Sequence, residues 1–198
     1  MARTRAHDYD DKKRAILHSA ARLFAEHGYD RASMNQIAEA CGVSKPLLYH
    51  YYNAKDALLF DMLRTHLEEL VVAVQSAELL DDPPETRLYA MIAALLDAYR
   101  DADAEHKVQI NDLKRLPLER QEELRFLERK LVARFSDVVR AINPRLADAR
   151  GQLKPVVMSL FGALNWHYMW FRPDGPVTRE AYAKLATRLF VNGIRAFE

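Results

Sequence analysis

Residues 33–52 read Ser-Met-Asn-Gln-Ile-Ala-Glu-Ala-Cys-Gly-Val-Ser-Lys-Pro-Leu-Leu-Tyr-His-Tyr-Tyr. This stretch and Lys55 just after it gather groups able to hold a phosphate diester. Lys45, His50 and Lys55 offer positive charge or N–H donors, and Tyr49 and Tyr51 offer phenolic donors. Ser33 and Ser44 are placed to begin helices, whose free backbone N–H groups suit an anion. Pro46 and Leu47 are the candidates for base edges, where thymine methyls accept apolar contact, with help from Asn35 or Gln36. Phosphate contacts position a protein on DNA and base contacts select sequence, so the segment holds both kinds of chemistry.

Such chemistry needs a scaffold that projects one short helix. Ser33 and Gln36 make a capping box that starts a helix at Met34. Ile37 and Ala38 face inward, and Gly42 ends the helix. Ser44 caps the next one, about Lys45 to Tyr51, with Pro46 tolerated in its first turn. Two short helices joined by a glycine-containing turn form a helix-turn-helix, whose second helix presents its N-terminal residues to the major groove. Ile37 and Leu48 fill the small core, Ala38 and Cys41 are small where the helices approach, and Tyr52 packs on a preceding helix. That helix runs from about 10 to 27. Ile16, Leu17, Ala20, Ala21 and Phe24 share one of its faces, Asp10 and Asp11 lie in its first turn, and Gly28 follows its end. A fourth helix, capped by Asn53, extends to about residue 78.

Beyond Pro83-Pro84 the segments lengthen, to about 85–101, 103–114, 117–142, 145–171 with a bend near Pro155, and 178–197 capped by Thr178. No stretch alternates in the manner of a strand, and no repeat has a fixed period. The expected fold is all-α, with a three-helix DNA-binding domain over 1–55 and a helical body over 56–198.

Composition narrows the classes. The chain has 198 residues, 49% hydrophobic and 29% charged, with six Gly and eight Pro, which excludes a disordered or collagen-like chain. Cys41 is the single cysteine, so neither an intramolecular disulfide nor a multi-cysteine metal site can form, and a reducing cytoplasm is expected. Residues 155–171 form the longest apolar run, but Ser159, Asn165 and His167 interrupt it, so it reads as a buried helix and not a membrane span. Arg3 and Arg5 form a short basic arm, read first as a solvated tail, and no apolar region follows them to make a signal peptide. Residues 1–55 hold nine Lys/Arg against six Asp/Glu, while the rest holds 20 against 22. A mildly basic N-terminal segment on a mildly acidic body is compatible with local nucleic-acid contact. Histidines are scattered without metal-ligand spacing, and no phosphate loop or nucleophile motif occurs. No metal, cofactor or catalytic residue is therefore expected.

In the body, residues 161–171 read Phe-Gly-Ala-Leu-Asn-Trp-His-Tyr-Met-Trp-Phe. Trp166 and Trp170 are four apart on one helix face, with Asn165 and Met169 beside it and Tyr168 and His167 adding polar groups. Two arrangements fit this stripe. It packs as a core or dimer seam, or it walls an apolar small-molecule pocket with polar anchors.

The N-terminal pattern resembles the TetR family of transcriptional regulators. The residues that carry the likeness are Ile37, Ala38, Cys41, Gly42, Val43, Ser44, Lys45, Leu48, Tyr49, Tyr51, Tyr52, Lys55 and Leu58, preceded by Ala21, Leu23, Phe24, Gly28 and Tyr29. It covers residues 10–60. The resemblance implies a homodimer that binds a double-stranded DNA operator and is released by a small-molecule inducer. Its phosphate-contacting positions fall on Ser33, Ser44, Lys45, Tyr49, His50, Tyr51 and Lys55. Position 46 departs from the pattern, because Pro stands where a small residue is common, and the operator sequence is left open. The body, from Asp103–Leu116 through Phe161–Thr178, resembles family members that control acyl-CoA catabolism, most of all repressors of phenylacetate degradation. That likeness implies a CoA thioester inducer such as phenylacetyl-CoA. Lys107, Lys114, Arg115 and Arg172 are the candidates for its phosphates. Asn165, Trp166, Tyr168, Met169 and Trp170 are the candidates for its acyl part. A fatty acyl-CoA or another hydrophobic ligand is the alternative. Two rivals lie in other classes: a helical thioester enzyme, for which only His167 offers a base, and a scaffold without a DNA role. The dimer seam is expected on the last two long helices, from Val156, Val157, Leu160, Leu164, Leu185, Leu189 and Phe190.

Overall fold

The computed structural model describes the backbone of residues 2–148 and 151–197, and the side chains of 9–146 and 151–197. Every regular element among them is helical. In order they are α1 (Ala2–His27), α2 (Met34–Ala40), α3 (Lys45–Tyr51), α4 (Lys55–Ala77), α5 (Pro84–Ala98), α6 (Asp103–Asp112), α7 (Leu118–Ile142), α8 (Arg145–Asp148), α9 (Leu153–Asn165), α10 (His167–Trp170) and α11 (Arg179–Arg195). A 3₁₀ turn, Leu113–Arg115, follows α6. None of these helices is long and apolar enough to cross a membrane.

The chain forms two compact units. One takes the residues up to Leu67 together with Asp101–Arg125, and the other takes Glu68–Arg100 with the chain from Phe126 onward. The first of these units extends past the division expected at residue 55. The first unit keeps the opening turns of α4 and recruits α6 from much later in the chain. Three contacts tie α6 and its 3₁₀ turn to the N-terminal part. Lys107 donates to the Ala25 carbonyl at 2.7 Å, His18 meets Glu105 at 3.0 Å, and Arg115 pairs with Asp30 at 2.9 Å. Val108 is buried beneath them. His66 on α4 and His106 on α6 are both buried, with ring centroids 6.3 Å apart. Burial and the neighbouring imidazole push the His66 pKa down to about 3, so it is neutral at ordinary pH.

In this unit Ile16, Ala20, Ala21 and Phe24 of α1 are buried, as are Ile37, Leu48, Leu58, Leu59, Met62 and Leu63. The first-helix stripe predicts this face. The helix itself begins earlier than its apolar pattern, at Ala2 and not near Asp10. Arg3 and Arg5 thus stand on helical backbone, and their side chains lie outside the described residues.

The second unit packs α5 against α11, around Leu88, Met91, Ile92, Leu95, Ala183, Ala186 and Ile194. Phe135 of α7 meets Phe161 of α9 edge to face at 5.0 Å. The single bent helix expected over 145–171 is three helices. Pro155 causes no bend, because it sits in the first turn of α9, where the missing N–H would have no helical partner. The break comes before it, at Gly151 with φ +81°, and again at Trp166.

Candidate nucleic-acid interface

Ser33 precedes α2 in extended conformation. Its hydroxyl accepts from the Gln36 amide at 3.3 Å, and its own amide donates to Gln36 Oε1 at 2.9 Å, which completes the capping box. The Ser33 hydroxyl also donates to that Oε1 at 2.8 Å. Gly42 takes φ +62°, a left-handed value that strains any residue with a Cβ, and so turns the chain within three residues. Ser44 then caps α3 by accepting from the Leu47 amide at 3.3 Å.

Of α3 only Leu48 is buried. Lys45, Pro46, Tyr49 and His50 are exposed, and Leu47 and Tyr51 are half-buried. Lys45 lies 5.9 Å from the Tyr49 ring, one turn on. Ser33, Asn35 and Gln36 are exposed at the start of α2. The structure thus brings these candidates to the open faces of two adjoining helices in one unit. Cys41 is half-buried in the turn, and burial raises its thiol pKa.

Lys55 requires a correction. Its ammonium donates to the carbonyls of Tyr29 at 2.7 Å, Ala32 at 2.9 Å and Asp30 at 3.3 Å, and it sits 4.4 Å from the Tyr29 ring centroid. An ammonium has three N–H groups. All three point into the loop between α1 and α2, so Lys55 clasps that loop to the start of α4 and does not reach out for phosphate. The cap of α4 also differs. Ala54, and not Asn53, accepts the first helical bond, from Leu58.

Sequence reasoning missed the group that holds the end of α3. Asp61, 7% exposed on α4, accepts from the Tyr52 hydroxyl at 2.7 Å, Lys13 Nζ at 2.8 Å and Arg64 Nη2 at 2.7 Å. Burial alone would raise its pKa. Hydrogen bonds from Lys13, Tyr52 and Arg64 overcome that and hold the carboxyl below its usual range. Tyr52 is core, as its pattern predicts, and burial pushes its phenol pKa far up. The available signal was Asp61 itself, a lone acid among Leu58, Leu59, Met62 and Leu63. Beside this group, Tyr9 of α1 stacks on Tyr51 at 4.7 Å between centroids and 23° between planes.

The ligand candidates fall in both units. Lys107 and Lys114 belong to the first unit, and Asn165, Trp166, Tyr168, Met169 and Trp170 to the second. Lys107 is held by the Ala25 carbonyl. Trp166, Met169 and Trp170 are 60%, 55% and 43% exposed in the protomer. Asn165 accepts from the buried Tyr99 hydroxyl at 2.8 Å. His167 is buried between the stacked rings of Phe171 and Tyr182, at 4.3 and 5.3 Å. Burial and Arg179 lower its pKa to about 4. It packs as an aromatic and has no open face from which to act as a base. Among the described residues no group of three or more His, Cys, Asp or Glu could hold a metal ion.

The expected seam residues also divide. Val157, Leu160 and Leu164 are buried in the second unit's own core. Leu185 and Leu189 are exposed, Val156 and Phe190 half-buried. Val156, Leu189 and Phe190, with Gly193, Ile194 and Phe197, line an apolar groove of about 380 Å³.

Two family models match the chain: "Bacterial regulatory proteins, tetR family" over residues 16–62, and "Tetracyclin repressor-like, C-terminal domain" over 81–194, more than half of the sequence. A solved TetR-family transcriptional regulator from Bordetella parapertussis 12822 superposes with a TM-score of 0.84 at 33% identity, covering 90% of this chain and 93% of that one. AibR, solved in complex with isovaleryl coenzyme A and operator DNA, gives 0.74 at 27% identity, covering 90% and 97%. The transcriptional activator FasR of Mycolicibacterium smegmatis is 34% identical over 88 residues, which is 44% of this chain. That match spans 40% of FasR, so this curated relative is matched over less than half its length.

Proposed function

Because the chain belongs to the TetR family of bacterial transcriptional regulators and not to an enzyme family, we propose that it is a homodimeric repressor. In this reading it holds a palindromic operator through α2 and α3 and lets go when an acyl-CoA binds. The observation that carries the DNA part is the exposure of α3. A helix that buries only Leu48 and presents Lys45, Pro46, Tyr49 and His50 is built to project. Ser33, Asn35, Gln36, Ser44 and Tyr51 complete the proposed contact face. Two such faces must meet successive major grooves about 34–36 Å apart, which requires a dimer.

The groove beside α11 supports a seam between two copies. Gly193 lines it, and a Cβ placed there would meet open space within the protomer. A glycine in the last turn of α11 that meets nothing within the protomer suits close approach by a second backbone. The exposed Leu185 and Leu189 extend the same apolar surface.

The acyl-CoA reading draws support from the likeness to AibR and from the aromatic stretch over 161–171. Phenylacetyl-CoA, and control of a catabolic operon, are its specific form, with Lys107, Lys114, Asn165 and the surrounding aromatic residues as candidate contacts. Ligand and DNA affinities are then linked reciprocally, each weakening the other by the same factor. The test titrates phenylacetyl-CoA, free phenylacetate and a long-chain acyl-CoA against the protein–operator complex. The expected result is release by phenylacetyl-CoA at the lowest concentration. Equal release by free phenylacetate would remove CoA from the account. Earlier release by the long-chain thioester would assign a fatty acyl-CoA instead.

A further inference from the structure

The stack between Tyr9 and Tyr51 lies outside the buried core. Tyr9 is 45% exposed, so its ring contributes little to the core. Its partner Tyr51 is the last residue of α3 and stands at the edge of the proposed DNA-contacting face. Tyr9 covers one side of the Tyr51 ring, and His50 meets that ring edge-on at 6.0 Å and 82°. One turn along α1, on the same face, Lys13 reaches Asp61 and through it Tyr52. A single face of α1 therefore holds two adjacent residues at the end of α3. Tyr52 is fixed in the core and Tyr51 is fixed at the surface.

We propose that Tyr9 is a positioning residue for DNA binding, setting the Tyr51 ring so that its hydroxyl meets a backbone phosphate without prior ordering. An unstacked tyrosine at a helix end samples several rotamers, and fixing it on binding weakens the complex. The effect is neutral in charge, because no cation is added or removed. It rests on the DNA-binding reading above.

The test measures operator affinity of the full-length protein and three variants, Tyr9→Ala, Tyr9→Phe and Tyr51→Phe, with the double variant Tyr9→Ala/Tyr51→Phe. Thermal unfolding and the salt dependence of affinity are recorded alongside. Tyr9→Ala is expected to weaken binding about three- to tenfold per half-site, the scale of ordering one side chain. Its melting temperature and salt slope should stay close to the parent's. Tyr9→Phe, which keeps the stack, should bind like the parent. Once Tyr51 has lost its hydroxyl, removing Tyr9 should cost little more. The proposal is overturned if Tyr9→Ala binds as tightly as the parent, or if the two losses simply add. It is also overturned if Tyr9→Phe fails to restore affinity, which would give the contact to the Tyr9 hydroxyl itself. A loss that tracks a large fall in melting temperature would make Tyr9 merely structural. If the parent protein selects no DNA sequence at all, the DNA-binding reading fails, and this inference fails with it.

Discussion

Replacing Asp61 with Ala is expected to lower the melting temperature by roughly 5–12 °C, from a loss of about 2–4 kcal/mol at a few degrees per kcal/mol for a chain of this size. The carboxylate accepts three hydrogen bonds, from residues on α1, α4 and the end of α3. Without it the buried Tyr52 hydroxyl loses its acceptor, and two cations are left facing each other. Lys13 and Arg64 are each partly exposed, at 33% and 41%, so water recovers some of the loss. The figure is accordingly set below that of a fully buried pair. Asp61→Asn keeps an acceptor for Tyr52 and should lose less. The pH dependence follows from the lowered carboxyl pKa. The stabilisation is complete above the ordinary carboxylate value of about 3.9 and fades as pH falls toward the folded-state value. The gap in melting temperature between parent and Asp61→Asn should therefore be constant from neutral pH down to about 4 and shrink below it. A gap that grew on acidification would contradict the assigned ionic state.

Leu189→Glu is expected to convert the dimer to a monomer and to weaken binding to a full palindrome by about 10²–10⁴, the factor lost when the second half-site is no longer tethered. Leu189 is 62% exposed in the protomer and lines the apolar groove on α11. A carboxylate there destabilises the protomer little but must be buried unpaired when two copies meet. Light scattering after gel filtration reads the mass, and a half-site duplex serves as the control. Affinity for the half-site should be unchanged. A Leu189→Glu protein that remains dimeric would move the seam to another surface.

What was legible in the sequence follows from the range of the interactions involved. The helix-turn-helix is written in local chemistry: a capping box at Ser33–Gln36, a left-handed glycine at 42 and a serine cap at 44 all act within three or four residues. Each appears as expected. Ile37, Leu48 and Tyr52 were readable as core because apolar spacing marks a buried face. Lys55 was misread because the three carbonyls it binds lie 23–26 residues earlier, and nothing in its immediate neighbourhood distinguishes a clasp from a surface cation. The early start of α1 was missed because residues 2–9 carry no apolar stripe. The place of α6 depends on Lys107, Glu105 and Arg115 reaching residues 18–30, a pairing no periodicity reveals. The tryptophan stripe was placed on one continuous helix, but Trp166 falls at the break between α9 and α10, and a four-residue spacing does not say which way a face looks: Trp166 and Trp170 are both exposed.

The central claim is that the exposed face of α3 holds DNA, and the salt dependence of operator affinity tests it most directly. A duplex is first obtained by selection from random sequence, and affinity is then measured from low to physiological salt for the parent, Lys45→Ala and Lys55→Ala. The account predicts an enriched palindrome and a steep inverse salt dependence. The slope should fall by roughly one per half-site when Lys45 is removed. Lys55→Ala should lower thermal stability and leave the slope unchanged, because its ammonium is held by the Tyr29–Ala32 loop. A selection that enriches no sequence, or a Lys45→Ala protein with the parent's slope, would contradict the account.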